Sequence, residues 1–141
     1  MPAHAPQFQL TGIDHIVLRV RDLARALAFY RDVLGCSLER EQRELGLTQL
    51  RAGRSLIDLV TADGPLGARL ARSEANGPNL EHFCLSLVPF EERSLAAHLA
   101  AHGIQLGEGA VRYGAEGESR SFYVDDPDGN RVELKGARAP P

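Results

Sequence analysis

Residues 121–135 read Ser-Phe-Tyr-Val-Asp-Asp-Pro-Asp-Gly-Asn-Arg-Val-Glu-Leu-Lys, and this stretch predicts two strands joined by a tight turn. Within the turn, Pro127 presets φ and Gly129 can adopt the positive φ that a hairpin exit requires. The turn therefore fixes the register of the second strand, in which polar and apolar residues alternate. Because side chains alternate between the faces of a strand, the acidic residue Glu133 is predicted on the face opposite Leu134.

A carboxylate in the middle of a strand has two interpretations. Glu133 taken alone would lie on a solvated sheet face beside Arg131 and Lys135, since Glu is rarely buried without a partner. The alternative is that Glu133 lines a cavity as a ligand or a base. Other residues of the chain decide between the two.

Composition indicates a single compact domain with a small-molecule partner. The chain has 141 residues, a net charge of −3 and no cluster of Lys or Arg, which argues against nucleic acid or an anionic membrane as a partner. Residues 1–9 lack the features of a signal peptide and no apolar run is long enough to span a membrane, so we expect a cytoplasmic protein. Cys36 and Cys84 have no CxxC spacing, and we assign them no catalytic role.

The alternation of polar and apolar residues predicts two similar halves between a flexible lead-in, residues 1–11, and a tail, residues 137–141. A first module, residues 12–62, contains a strand, a helix and three strands at 13–20, 22–34, 38–43, 47–52 and 55–61. A linker, residues 63–78, follows. The second module, residues 79–136, contains a strand at 80–87, a helix at 90–102 and strands around 104–106, 111–113, 121–124 and 131–135.

The two halves match in their spacing. Each opens with an acidic residue followed by a histidine, and the histidine precedes the glycine that ends the helix by 20 residues in the first half and 21 in the second. Asp58 and Glu133 then fall in the last strand of each half. Each module is thus βαβββ, too small to bury its sheet alone, so we expect an α+β protein whose two modules form one curved eight-stranded mixed sheet.

Four side chains are predicted to meet in the cavity of that sheet. His15 and His82 occupy equivalent positions and point away from the apolar face of their strands, as Glu133 does in its own strand, and Asp58 is the repeat equivalent of Glu133. A lone strand histidine is more often structural, but two in the same phase indicate a shared site. Two imidazoles with one or two carboxylates suit Fe(II), Mn(II), Co(II), Ni(II) or Zn(II) and leave positions open, which is typical of a catalytic metal site.

The sequence from Gly12 to Gly136 resembles the vicinal oxygen chelate superfamily, which includes glyoxalase I, extradiol dioxygenases, methylmalonyl-CoA epimerase and the fosfomycin and bleomycin resistance proteins. The residues that carry the resemblance are Ile13-Asp14-His15, Ala28-Phe29-Tyr30-Arg31-Asp32-Val33-Leu34-Gly35, Leu80-Glu81-His82 and the stretch from Phe122 to Leu134. Within the superfamily, the chain is most similar to small glyoxalase-domain proteins.

The resemblance implies metal ligands at His15, His82 and Glu133. At the fourth family position, where glyoxalase I has Glu or Gln, this chain has Asp58, which is shorter by one methylene. That departure argues against a strict glyoxalase I assignment. The resemblance also implies a homodimer, in which a site can take ligands from both chains.

The reaction implied by the resemblance is that of a glyoxalase-like lyase or isomerase. Its substrate is a small molecule bound through adjacent oxygens, and Glu133 is the base that removes a proton next to a carbonyl. One alternative is an extradiol dioxygenase in which His15, His82 and Glu133 bind Fe(II). Further alternatives are a drug- or metabolite-binding resistance protein without catalysis and a fosfomycin-type thiol transferase.

The sequence also offers weaker candidates for substrate binding. Ser121 and Tyr123 share a face and are predicted to point into the cavity, unless the turn simply forces a polar outer face. Arg19 lies on the face of His15, and Arg120 ends a predicted loop, Gly114 to Arg120, at the cavity mouth. For Arg120, a solvated hairpin residue is the alternative. His98 and His102 are four residues apart on a helix but lack a third ligand, so we interpret them as surface residues.

Overall fold

The computed structural model describes Gln7, residues 13–69, Leu80 and residues 82–137. The rest of the predicted lead-in, most of the tail and residues 70–78 of the predicted linker lie outside these described residues. The strands are β1 His15–Val20, β2 Ser37–Gln42, β3 Leu47–Ala52, β4 Ser55–Thr61, β5 Phe83–Leu87, β6 Ala110–Gly114, β7 Gly117–Asp125 and β8 Arg131–Gly136. The helices are α1 Leu23–Leu27, which continues as a π-helical turn over Ala28–Val33, α2 Pro65–Arg69 and α3 Glu92–Ala101.

The strands form two four-stranded sheets with the same internal order, β1-β4-β3-β2 in the first and β5-β8-β7-β6 in the second. In each sheet the first and last strands of the module are parallel and the other neighbours are antiparallel. This common order confirms the α+β class and the two βαβββ modules. The eight strands are divided between two sheets, with β1 and β5 each at an edge of its own sheet.

A hydrophobic core lies against one face of both sheets. It combines residues from the two modules, among them Leu18 and Leu50 of the first sheet, Leu99 of α3, and Val132 and Leu134 of the second sheet. The alternation in β1 agrees with the prediction, since Leu18 and Val20 are buried whereas His15, Val17 and Arg19 are exposed. The polar faces of both sheets therefore point away from this core.

Side-chain caps set where the helices begin. The Asp22 carboxylate accepts a hydrogen bond from the Arg25 backbone N–H at 3.1 Å and so caps α1. Glu91 accepts from the backbone N–H groups of Arg93 and Ser94, so α3 begins later than predicted. Among the residues with described structure, no helix is both long and apolar enough to cross a lipid bilayer.

Two local predictions were wrong. The predicted strand at 104–106 has no regular structure, although Ile104 and Leu106 pack against the core. The apolar residues at 104 and 106 reflect burial against the core and not pairing in a sheet. The predicted loop from Gly114 to Arg120 is instead a tight hairpin, because Gly117 has a φ of 99° and the following residues pair with β6. The alternation of residues 118–120 was a strand signal.

The Asp-Pro-Asp-Gly turn of the second module is bound to the helix of the first. The Tyr30 hydroxyl donates to Asp126 Oδ2 at 2.6 Å, and both residues are buried. Asp126 also accepts from the backbone N–H groups of Asp128 and Asn130 and from Asn130 Nδ2. Burial, together with the hydrogen bond to Asp126, raises the pKa of Tyr30 well above its usual value, so the hydroxyl stays a donor.

The Tyr30→Phe variant removes this hydrogen bond between the modules without changing the volume of the ring. Because a hydrogen bond to a carboxylate contributes about 1.5 to 3 kcal/mol, we expect the free energy of unfolding to fall by about 2 kcal/mol. Urea denaturation monitored by circular dichroism measures this change. Tyr113→Phe is the matched control, since Tyr113 is 83% exposed and should unfold like the wild type. Equal stability of the two variants would contradict the role of the bond.

Candidate functional site

Glu133 and His82 form a contact pair on the polar face of the second sheet. The Glu133 Oε1 atom lies 3.3 Å from His82 Nε2, and the residue is only 6% exposed. Glu133 lies in β8 opposite Cys84 of β5 and Tyr123 of β7, so neighbours on both sides cover it. Glu133 is therefore not on a solvated sheet face.

An aromatic ring and charged groups surround this pair. The rings of His82 and Tyr123 meet edge to face with centroids 5.4 Å apart. Burial raises the pKa of the Cys84 thiol to about 11, helped by the charge of Glu133 and opposed by that of Lys135. The charges of the Glu133 carboxylate and the Lys135 ammonium thus both act on the Cys84 thiol.

The first sheet carries the corresponding pair, Asp58 and His15. Asp58 is 6% exposed, and the Gln49 amide nitrogen donates to both of its carboxylate oxygens at 3.2 Å. Gln49 is in turn held by Arg40, whose Nε donates to Oε1 at 2.7 Å. The His15 side chain is 46% exposed and its Nδ1 lies 2.8 Å from Asp14 Oδ1.

The electrostatics of His15 connect it to the same face. Its pKa is raised above the ordinary value, first by the hydrogen bond with Asp14 and then by the charge of Asp58. In the register of the first sheet, Asp58 pairs with Val17, two residues along β1 from His15. The first module therefore supplies an imidazole close to a buried carboxylate, as the second does.

Each module thus provides two of the four predicted metal ligands. Imidazole and carboxylate groups are the donors that divalent Fe, Mn, Co, Ni and Zn accept, so the chemistry of both pairs fits such an ion. Within the described part of one chain, however, no three His, Cys, Asp or Glu side chains come together in a position to bind one ion. The structure brings His82 to Glu133 and His15 near Asp58, as two half-sites.

Ser121 and Tyr123 lie on the same face as Glu133. Their partners in β8 are Lys135 and Glu133, respectively. Ser121 is fully buried and accepts hydrogen bonds from Arg112 Nη1 through its hydroxyl at 2.8 Å and its carbonyl at 2.9 Å. Tyr123 is half-buried beside the guanidinium groups of Arg112 and Arg131, which lie 4.5 and 5.1 Å from the ring centroid.

The two predicted arginines make other contacts. Arg19 Nε donates to the Gly67 carbonyl oxygen at 2.9 Å, at the end of β1 distant from His15. Arg120 lies on the core side of β7, where it forms an ion pair with Glu92 of α3 at 3.3 Å. We therefore leave Arg120 out of the candidate site. The Nε2 atom of His98 lies 2.7 Å from the Val33 carbonyl oxygen, so this nitrogen is engaged in a hydrogen bond.

Three residues of the candidate site were missed from the sequence, namely Arg112, Lys135 and Gln49. The alternation that places Glu133 on the polar face also places Lys135 there, two residues later. The same argument applies to Arg112 in β6 and Gln49 in β3. The pattern gave the face of each residue, but their contacts depend on side chains from neighbouring strands.

Residues 12–134 match the family described as the Glyoxalase/Bleomycin resistance protein/Dioxygenase superfamily. The chain belongs to this superfamily. Members of the superfamily usually use divalent metal ions, typically act on small molecules and are often dimers.

Individual superfamily members are similar to the chain over most of its length. A catechol-2,3-dioxygenase from Bacillus subtilis is 32% identical over 130 residues, which are 91% of this chain but 42% of the dioxygenase, so the chain spans less than half of that relative. The virulence protein STM3117 from Salmonella typhimurium is 31% identical over 91% of this chain and 85% of its own. Its crystal structure superposes with a TM-score of 0.75 at 26% identity, covering 93% of this chain and all of that one.

Proposed function

We propose that this protein is a divalent-metal-dependent enzyme of the glyoxalase type, a lyase or isomerase that acts on a small substrate bound through two adjacent oxygens. The observation that carries the proposal is the contact between His82 and the buried carboxylate of Glu133. In the first module the buried carboxylate of Asp58 acts on His15 through its charge. A carboxylate buried beside an imidazole on an otherwise polar face has no packing role. It fits a ligand and base better.

The residues that would hold the metal are His15, His82 and Glu133, with Asp58 as the fourth candidate. When bound, a divalent ion supplies electrostatic stabilisation of the negative charge that develops on a substrate oxygen. Asp58 differs from Glu133 because the Gln49 amide already donates to both of its oxygens. We therefore assign Asp58 the weaker contribution to metal affinity.

The chain's own contribution to the reaction is a proton transfer. Glu133 Oε1 would accept the proton from the substrate carbon next to a carbonyl and return it at the neighbouring position. Its mid-strand position between β5 and β7 fixes the backbone that carries it, and the Tyr123 ring packs against the ring of His82 beside it. The roles of ligand and base at Glu133 would alternate during turnover.

The proposal includes a homodimer whose site takes His15 and Asp58 from one chain and His82 and Glu133 from the other. Support comes from β1, which begins at His15, and from β5, which begins directly after His82. Each of these strands lies at an edge of its described sheet. Edge strands have backbone groups available for a further strand. Pairing β1 of one chain with β5 of another would place the two half-sites next to each other. A cytoplasmic location remains a prediction from the sequence.

The second candidate function is ring cleavage by an extradiol-type dioxygenase. The observation that favours it is the 32% identity to a catechol-2,3-dioxygenase over 91% of this chain. The same His15, His82 and Glu133 would then serve as the facial ligand set for Fe(II). Ring cleavage consumes oxygen, whereas the lyase or isomerase reaction does not.

The test begins with metal analysis of protein purified without chelator, for which we expect close to one divalent ion per chain. A protein that neither contains nor rebinds metal would exclude both enzyme functions and leave a metabolite-binding protein. With metal present, oxygen uptake is measured against a panel of catechols, and 2-oxoaldehyde–thiol adducts and racemisable acids are assayed under anaerobic conditions. Oxygen consumption that depends on a catechol would favour the dioxygenase over our proposal.

A further inference from the structure

The polar face of the second sheet holds a buried lysine with neutral partners. Lys135 is 6% exposed, and its Nζ donates to the Gly117 carbonyl oxygen at 2.9 Å and to Ser119 Oγ at 2.5 Å. No carboxylate among the described residues lies within ion-pair distance of this ammonium. A buried charge without a counter-ion is unfavourable, so neutral acceptors alone do not explain why a lysine lies here.

The shape of the sheet is adapted to this side chain. The stem of Lys135 passes directly over Gly114, where an added Cβ would lie 2.9 Å from the lysine Cε. A residue larger than glycine would displace the ammonium from its position. Lys135 is therefore held in one place rather than extending freely into solvent.

A second cation, Arg112, lies against the same strand. Its Nη1 donates to the carbonyl and hydroxyl oxygens of Ser121, and its guanidinium lies 4.5 Å from the centroid of the Tyr123 ring. Among the residues that the structure describes, neither Nε nor Nη2 of Arg112 has an acceptor. These two nitrogens form an edge of the guanidinium that can donate to a carboxylate through two parallel hydrogen bonds.

The two cations share the face of Glu133, which also carries Arg131 and its register partner Asp125. Ser121 is the register partner of Lys135, and Tyr123 is that of Glu133, so all of these side chains line one surface. Arg131 adds a third cation near the Tyr123 ring. Lys135 follows Glu133 by two residues on the same face of β8, which places it beside the proposed reacting end of the substrate.

We propose that Arg112 and Lys135 bind an oxyanion group of the substrate, so that the protein acts on small organic anions that carry a carboxylate or similar group in addition to two adjacent oxygens. An oxyanion would supply the counter-charge that the buried ammonium lacks and would fill the remaining edge of the guanidinium. Ser119 and Ser121 hold the two cations in position through their hydroxyl oxygens. This inference rests on the proposed function for the reacting end of the substrate.

Binding of catechol is compared with that of 2,3- and 3,4-dihydroxybenzoate to test this inference. The three probes share two adjacent oxygens, and the benzoates add a carboxylate at two different distances. Titration calorimetry is done under anaerobic conditions with the Co(II)-loaded protein and with the metal-free protein. We expect one of the benzoates to bind at least about tenfold more tightly than catechol, the lower limit for a hydrogen bond to a charged group.

The Lys135→Met and Arg112→Met variants should each lose this preference for the benzoate while they still bind Co(II). Arg93→Met, which removes an exposed positive charge on α3, is the control and should keep the preference. Equal binding of the three probes by the wild type, or a preference that persists in both variants, would overturn the proposed oxyanion site. Absence of Co(II) binding would instead overturn the proposed function, and the preference measured with metal-free protein then decides the oxyanion site alone.

Discussion

Replacing Glu133 with Gln is expected to lower the affinity of the protein for divalent metal by at least about 100-fold. Changing a residue that only hydrogen-bonds to a metal ligand already lowers metal affinity by up to about 100-fold, and Glu133 is proposed as a ligand itself. Gln keeps the size of the side chain and the contact with His82, but its amide is a much weaker metal donor than a carboxylate. Competition titration with a chromophoric chelator measures the affinity directly.

A matched control for this variant is Glu118→Gln, which changes an exposed carboxylate on the other face of β7. It should bind metal like the wild type. Asp58→Asn should show a smaller loss than Glu133→Gln, since Gln49 already occupies both Asp58 oxygens. Wild-type metal affinity in a folded Glu133→Gln protein would remove Glu133 from the ligand set and, with it, the proposed function.

The strands and the faces of their residues were predictable because both follow from local patterns. In β3 and β4 the predicted and observed bounds coincide, since turn residues flank a clear alternation. The faces of His15, Asp58, His82 and Glu133 follow from the same period of two. The apolar pattern was misleading at Ile104 and Leu106, where burial against the core occurs without strand pairing.

The contacts within the site were less predictable because they join distant parts of the chain. Whether Lys135 finds Ser119 or a carboxylate depends on the register of β7 against β8, which no local pattern specifies. The relative position of the modules depends on contacts such as that between Tyr30 and Asp126, which are 96 residues apart in sequence. The internal repeat predicted that His15 is equivalent to His82 and Asp58 to Glu133, but it could not indicate whether the four residues meet within one chain or between two.

A dimer that pairs a His15→Ala chain with a Glu133→Ala chain is expected to bind about half as much metal as the wild-type dimer. In a two-fold dimer with shared sites, one of the two sites then carries both changes and the other is intact. Two different affinity tags on co-expressed chains isolate this mixed dimer. Each variant alone should bind almost no metal.

The control pairs a wild-type chain with a chain that carries both changes, so that every shared site lacks one ligand and almost no metal is bound. A site contained within one chain predicts the reverse, with no metal in the first dimer and half occupancy in the second. That reversed result, or a protein that is monomeric by light scattering, would contradict the shared site, whereas the expected pattern would require that β1 and β5 of different chains bring the half-sites together.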